Sequence, residues 1–213
     1  MTYRLLVMAK APIPGTVKTR LGLPPHVASG LQAALIADTV GKARSLAPTT
    51  VAGAPPERLE LVRPLLPGDV GLIPQSPGDL GDRMLSGVRT LFAASPGPVL
   101  VLGTDAPTLP AERIVGSASA LDSHDVSIIP SVDGGYVLLG LRRPVEAVFR
   151  GVEWSTGAVF RQTLRGAKAA GLSVHEGEPW YDVDEPADLA RLREELRARP
   201  ERAPRTAGFL GRL

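Results

Sequence analysis

The chain has 213 residues, with 24 basic and 22 acidic side chains, 23 glycines, 21 prolines and no cysteine. That length suits one domain that folds without staples. The missing cysteine excludes disulfides and thiolate metal sites, and the near-neutral charge balance argues against nucleic acid as a partner.

The first apolar run, Arg4 to Met8, reads as a strand. The start of the chain lacks the charged and apolar regions of a signal peptide, so the cytoplasm is the expected location. Apolar stretches such as Pro98 to Gly103 are strand-sized and far short of a membrane span. Further strands are predicted over Thr49 to Gly53, Val70 to Ile73, Val99 to Leu102, Val126 to Ile129 and Val137 to Gly140, with a weaker one over Leu172 to His175. Between them the apolar spacing predicts helices over Pro25 to Leu46, Asp79 to Phe92, Pro110 to Leu121, Ser155 to Ala170 and Glu185 to Arg197. Ser155 and the aspartate before Glu185 are the expected N-caps of the last two. Residues 198–213 are rich in Arg, Pro and Gly and read as a tail, mobile or docked on a neighbour, after a single domain over residues 1–197.

Alternating strands and helices imply an α/β fold with a mainly parallel sheet, whose ligands lie beyond the carboxyl ends of the strands where the strand order reverses. The segments just after the strands are therefore the ones to search for chemistry. Residues 10–20, after the first strand, combine two prolines and Gly15 with Lys18 and Arg20. The loop is stiff, allows close backbone approach at the glycine and offers positive charge to a phosphate chain. It lacks the Gly-Lys-Ser/Thr ending of a Walker loop, and solvated basic residues on an ordinary loop are the plain alternative. Residues 75–84 carry Gln75, Gly78, Asp79, Gly81 and Arg83 around a helix start. A helix N-terminus there suits an anion or a base edge, while a glycine-rich turn capped by Asp79 explains the same residues.

Asp105 follows the most apolar strand and is placed to hold a hard cation such as Mg²⁺. Asp133, Gly134 and Gly135 either face a ligand or simply make a hairpin turn. Trp154 precedes Ser155 and Thr156 at a helix start. Asp182 and Asp184 share one side of an extended segment, so that one could join Asp105 on a metal while the other caps the last helix. His26, His124 and His175 are scattered and unsuited to a triad.

The order Ala-Lys-Ala-Pro-x-Pro-Gly-x-Val-Lys-Thr-Arg-Leu, Gly-Asp-Leu-Gly-Asp-Arg-Met, Gly-Thr-Asp-Ala-Pro, Asp-Gly-Gly-Tyr, Trp-Ser-Thr and Asp-Val-Asp-Glu-Pro-Ala-Asp-Leu, running from about Leu5 to Leu192, resembles the DUF2064 group. Members are labelled glycosyltransferases or nucleotide-diphospho-sugar transferases, and one branch is linked to arsenosugar biosynthesis. The group is similar in turn to phospholactate guanylyltransferases and molybdenum-cofactor nucleotidyltransferases. The resemblance implies the GT-A (nucleotide-diphospho-sugar transferase) fold, a mixed, mostly parallel sheet flanked by helices.

It also implies that Lys18 and Arg20 contact phosphates, with Asp105 as the third catalytic group. Ala9, Lys10, Gly15, Gln75, Gly78, Asp79, Gly81 and Arg83 would complete the nucleotide site. Asp105, with Asp184 or Asp182, would hold Mg²⁺ or Mn²⁺. Asp133, Gly134, Gly135 and Tyr136, with Trp154, Ser155 and Thr156, would face a small-molecule acceptor. Relatives often carry a second carboxylate where this chain has Thr108, and a second tyrosine where it has Val137.

The expected activity is nucleotidyl transfer from a nucleoside triphosphate, which is mostly positioning and charge neutralisation. The alternatives are glycosyl transfer from a nucleotide sugar, with Asp133 as base, and an inactive nucleotide-binding module. The expected partners are the nucleotide and its acceptor, with no nucleic acid or membrane, in a monomer or homodimer.

Overall fold

A computed structural model describes residues 2–213. The seven strands are β1 (Arg4–Lys10), β2 (Thr49–Ala54), β3 (Gly71–Pro74), β4 (Val99–Gly103), β5 (Val126–Pro130), β6 (Tyr136–Leu141) and β7 (Val174–Glu176). The helices are α1 (Pro25–Leu46), α2 (Leu80–Ala94), α3 (Ala111–Ala120), α4 (Val159–Ala169), α5 (Pro186–Ala198) and α6 (Pro204–Leu210). The strands form one sheet in the order β3-β2-β1-β4-β6-β5-β7, in which β6 alone is antiparallel to its neighbours. This is the mixed, mostly parallel sheet of a GT-A fold. Among the described residues, no helix is long and apolar enough to cross a membrane.

The two faces of the sheet follow from strand alternation. Leu5, Val7 and Ala9 of β1 pack with Ile36 and Val40 of α1 and Ile114 of α3 on one face. Leu6, on the other face, packs with Val88 of α2 and Ala167 of α4. Every residue from Val99 to Leu102 is at most 3% exposed, which explains the unbroken apolar run of the central strand. Full burial of each such side chain stabilises by about 1.5–3 kcal/mol.

The strand order reverses between β1 and β4, since β2 and β3 lie on one side of β1 and β4 on the other. The carboxyl ends of these two strands lead into residues 11–20 and into Asp105. A third apolar cluster lies outside α1, where Leu31 and Leu35 meet Tyr181, Val183, Leu189 and Leu192. That layer ties the segment before α5 to the start of the chain.

Three expectations are corrected. Helix α4 starts at Val159, because Ser155 lies in the left-handed region (φ 64°) and Thr156 turns its hydroxyl onto the Glu153 carbonyl (2.7 Å), so Ser155 caps nothing. Helix α5 is capped at Glu185, whose N–H donates to Asp188 (2.8 Å), which leaves Asp184 free of capping. Residues 198–213 fold back as a 3-10 turn and α6. Asp38, buried in α1, accepts from the N–H groups of Arg205 (3.0 Å) and Thr206 (2.7 Å), and the Phe209 ring fills the space beside Gly30.

Candidate functional site

Lys18 is the centre of the crevice at the strand-order reversal. Its backbone is left-handed (φ 51°, ψ 34°), and its side chain is only 4% exposed. The ammonium donates to Asp105 Oδ1 at 2.7 Å, to Asp184 Oδ1 at 3.2 Å and to the Val183 carbonyl at 2.7 Å. Burial works to lower the Lys18 pKa, but the two carboxylates outweigh it and hold it above the ordinary lysine value. The carboxylates themselves are open, with side chains 43% (Asp105) and 40% (Asp184) exposed.

The convergence of these groups follows from local structure. Strand β4 delivers Asp105 at its end, and the Val183 N–H donates to the Asp105 carbonyl (2.8 Å), which sets Asp184 beside it. Gln32, a buried amide on α1, donates to the Lys10 carbonyl and to Thr104 Oγ1 (both 3.3 Å), and so stitches the ends of β1 and β4 together. The sequence does not mark Gln32 or Ser131 as site residues. The one available signal for Gln32 was a polar residue between the apolar Leu31 and Leu35.

The rest of the predicted nucleotide side divides into charge and scaffold. Arg20 is exposed and reaches Asp184 (3.4 Å) and Glu185 (3.6 Å). Lys10 arches back to the Thr16 carbonyl (2.6 Å) across a loop turned at Gly15. Gln75 is buried, donating to the Ala52 (2.8 Å) and Ala9 (3.3 Å) carbonyls, so its amide nitrogen serves the backbone of β1 and β2. Asp79 caps α2 by accepting from the Asp82 N–H (2.9 Å), and Arg83 folds onto the Gly78 carbonyl (3.0 Å). A Cβ at Gly81 would stand 2.7 Å from the Trp154 ring, so this glycine makes room for the indole.

Asp182 does not join the Lys18 cluster. It accepts from Ser131 Oγ at 2.7 Å, and burial, the largest influence on it, raises its pKa. Among the described residues, no group of three or more His, Cys, Asp or Glu is gathered for a metal. Asp105 and Asp184 nonetheless fit a hard divalent cation, because two half-exposed carboxylates already converge on one positive charge. Thr108 is 1% exposed and donates to Tyr181 Oη (3.2 Å), so it belongs to the packing under α5.

On the predicted acceptor side, residues 131–135 form the β5–β6 hairpin turn, in which Asp133 accepts from the Gly135 N–H (2.8 Å) and remains exposed. The ring of Tyr136 meets Trp154 edge-on (6.5 Å, 83°). Its hydroxyl points into the core against Met84 Sδ (3.7 Å), and burial pushes the phenol up. The Tyr136 hydroxyl is thus turned into the protein interior. Ser155 and Thr156 are exposed at the surface turn. Trp154 Nε1 and Ser76 Oγ are buried without a partner in the protein, one over the start of α2 and one just before it.

A family model described as an uncharacterized protein conserved in bacteria, DUF2064, matches residues 37–156. No curated protein sequence matches the chain. Its structure is similar to that of a protein from Desulfovibrio desulfuricans G20, provisionally named a nucleotide-diphospho-sugar transferase. The two are 28% identical, with a TM-score of 0.87 over 100% of this chain and 95% of that one. A nucleotidyl transferase from a Methanothermobacter shares the fold at 21% identity, with a TM-score of 0.61 over 92% and 99% of the two chains. CMP:2-keto-3-deoxy-manno-octonic acid synthetase in complex with CTP shares it at 12% identity, with a TM-score of 0.60 over 93% and 99%.

Proposed function

This chain belongs to the DUF2064 family, and on that premise we propose that it is a metal-dependent nucleotidyltransferase that joins the nucleotide of a nucleoside triphosphate to a small acceptor. The observation that carries the reading is the meeting of Lys18, Asp105 and Asp184 at the strand-order reversal, with Arg20 at its rim. A triphosphate and a cation call for both signs of charge, and this cluster holds both. The nucleotidyl transferase and the CTP-bound synthetase that share the fold support the same reading.

An acceptor oxygen, from a phosphate or a hydroxyl, attacks the α-phosphorus. The bond to the bridging oxygen breaks, and pyrophosphate leaves with its electron pair. This direct displacement needs no covalent nucleophile from the chain. Lys18 and Arg20 balance the charge of the leaving pyrophosphate, which is worth most in a site screened from water. Asp105 and Asp184 would hold Mg²⁺ or Mn²⁺, which supplies neutralisation of phosphate charge.

Glycosyl transfer from a nucleotide sugar is the second reading. It is favoured by the name of the 28%-identical Desulfovibrio protein and by the exposed carboxylate of Asp133, which this reading uses as base. Thermal-shift measurement with nucleoside triphosphates and nucleotide sugars, each with and without Mg²⁺ or Mn²⁺, separates the two. A ligand at 100 times its dissociation constant stabilises by about 2.7 kcal/mol. A metal-dependent rise in melting temperature with one triphosphate is the expected result. A rise with nucleotide sugars alone favours the second reading, and no rise with either class refutes both.

A further inference from the structure

Two duties assigned to this site compete for the same atoms. An ammonium has three protons to donate. Those of Lys18 are met by three acceptors, Asp105 Oδ1, Asp184 Oδ1 and the Val183 carbonyl. None is left for a phosphate while this arrangement holds. The same contacts occupy one oxygen of each carboxylate that would hold a metal. A divalent cation on those carboxylates would stand within about 5 Å of the ammonium, given metal–oxygen distances near 2.1 Å. The Lys18 side chain is 4% exposed, so little water would screen the repulsion.

We propose that Lys18 is a resident cation of this site: in the resting chain its ammonium holds the place between Asp105 and Asp184, and a divalent metal enters only as that ammonium moves off, onto a phosphate where nucleotide is bound and into solvent where metal alone is forced in. The proposal rests on the metal-dependent reading above and adds an order to it, since metal and nucleotide then enter together. One movement frees Asp105 Oδ1 and Asp184 Oδ1 for the cation and three N–H donors for the phosphates, while Arg20 stays on Asp184 Oδ2. The flexible four-carbon stem of lysine permits it. The left-handed backbone at Lys18 is an uncommon state for a side chain of this size, and it is held while the ammonium is anchored on residues 165 and 166 positions away.

The test is Mn²⁺ binding without nucleotide, followed by the electron paramagnetic resonance of the free ion. Wild type should bind Mn²⁺ weakly, and Lys18→Met at least tenfold more tightly. Adding Asp105→Asn to Lys18→Met should abolish the gain. If Lys18→Met binds Mn²⁺ no more tightly than wild type, the exchange is refuted.

A second measurement uses the wild-type chain, in case the variant fails to fold. Lys18 should resist acylation, read by mass spectrometry, in the metal-free protein and become reactive as Mn²⁺ saturates. Protection unchanged at saturation also overturns the proposal. The two inferences fail separately. Turnover of a triphosphate without any Mn²⁺ gain in Lys18→Met removes the exchange and leaves the transferase reading. A Mn²⁺ gain with no nucleotide binding does the reverse.

Discussion

The two halves of the crevice use their motif residues in opposite ways. On the β1–β4 side, charged groups far apart in sequence are spent on one another, as Lys18 is on Asp184 and Asp105. On the hairpin side polar groups are spent on sequence neighbours, as Asp133 is on the Gly135 N–H and Thr156 on the Glu153 carbonyl. The first half therefore has open carboxylates and a set of ion pairs that a ligand can rearrange. The second is a shaped wall whose geometry depends on backbone packing. Substitutions in the first half should cost activity and spare the fold, and those at the tightest contacts of the second should cost both.

The largest effect is expected at Asp105→Asn. Loss of this charge should lower kcat by about 10²–10³-fold, the scale of removing one preorganised electrostatic partner, with the melting temperature little changed because the side chain is half-exposed. Steady-state pyrophosphate release and circular dichroism on one preparation measure both. A comparable loss of folded structure would break the contrast.

Gly134→Ala should destabilise the chain by about 2–4 kcal/mol, since φ is +94° and the new Cβ would run into the Gly157 carbonyl. Urea unfolding reads the stability. Acceptor KM should rise with it, because displacement of residues 154–157 moves Trp154. Neutral stability in this variant would mean that the hairpin wall is looser than its contacts imply.

The smallest effect is expected at Asp133→Asn. The amide oxygen can still accept from the Gly135 N–H, so stability should stay within about 0.5 kcal/mol, and kcat should fall by less than about fivefold if the acceptor brings its own phosphate oxygen. A hundredfold loss at unchanged stability would instead identify a chemical role for this carboxylate and favour glycosyl transfer.

Much of the fold is legible in the residues themselves. The fully apolar run from Val99 to Leu102 reads as a strand buried on both faces, and alternation in β1 divides Leu5, Val7 and Ala9 from Leu6. The Asp-Gly-Gly turn announced the β5–β6 hairpin, and Asp79 its helix. These features depend on a few adjacent residues, so local patterning determines them.

The cap of α5 and the start of α4 were misread because capping residues compete locally. Asp184 and Ser155 both look like caps, but a tertiary contact draws Asp184 to Lys18, and Ser155 takes a left-handed backbone that leaves it outside the helix. Helix α6 was hidden for a related reason. Residues 198–213 carry a polar, proline-interrupted pattern, and their order comes from Asp38 and Gly30 on α1, more than 160 positions earlier.

The sequence by itself determined the alternating architecture and listed the charged residues beyond the strand ends, because side-chain period and turn chemistry act over a few residues. The tertiary structure alone decided which of those charges meet. Sheet order brings β4 beside β1, and the Val183–Asp105 backbone bond carries Asp184 to the same point. An ion pair between residues 18 and 184 has no local signature, since its energy depends on a distance that only the folded chain defines.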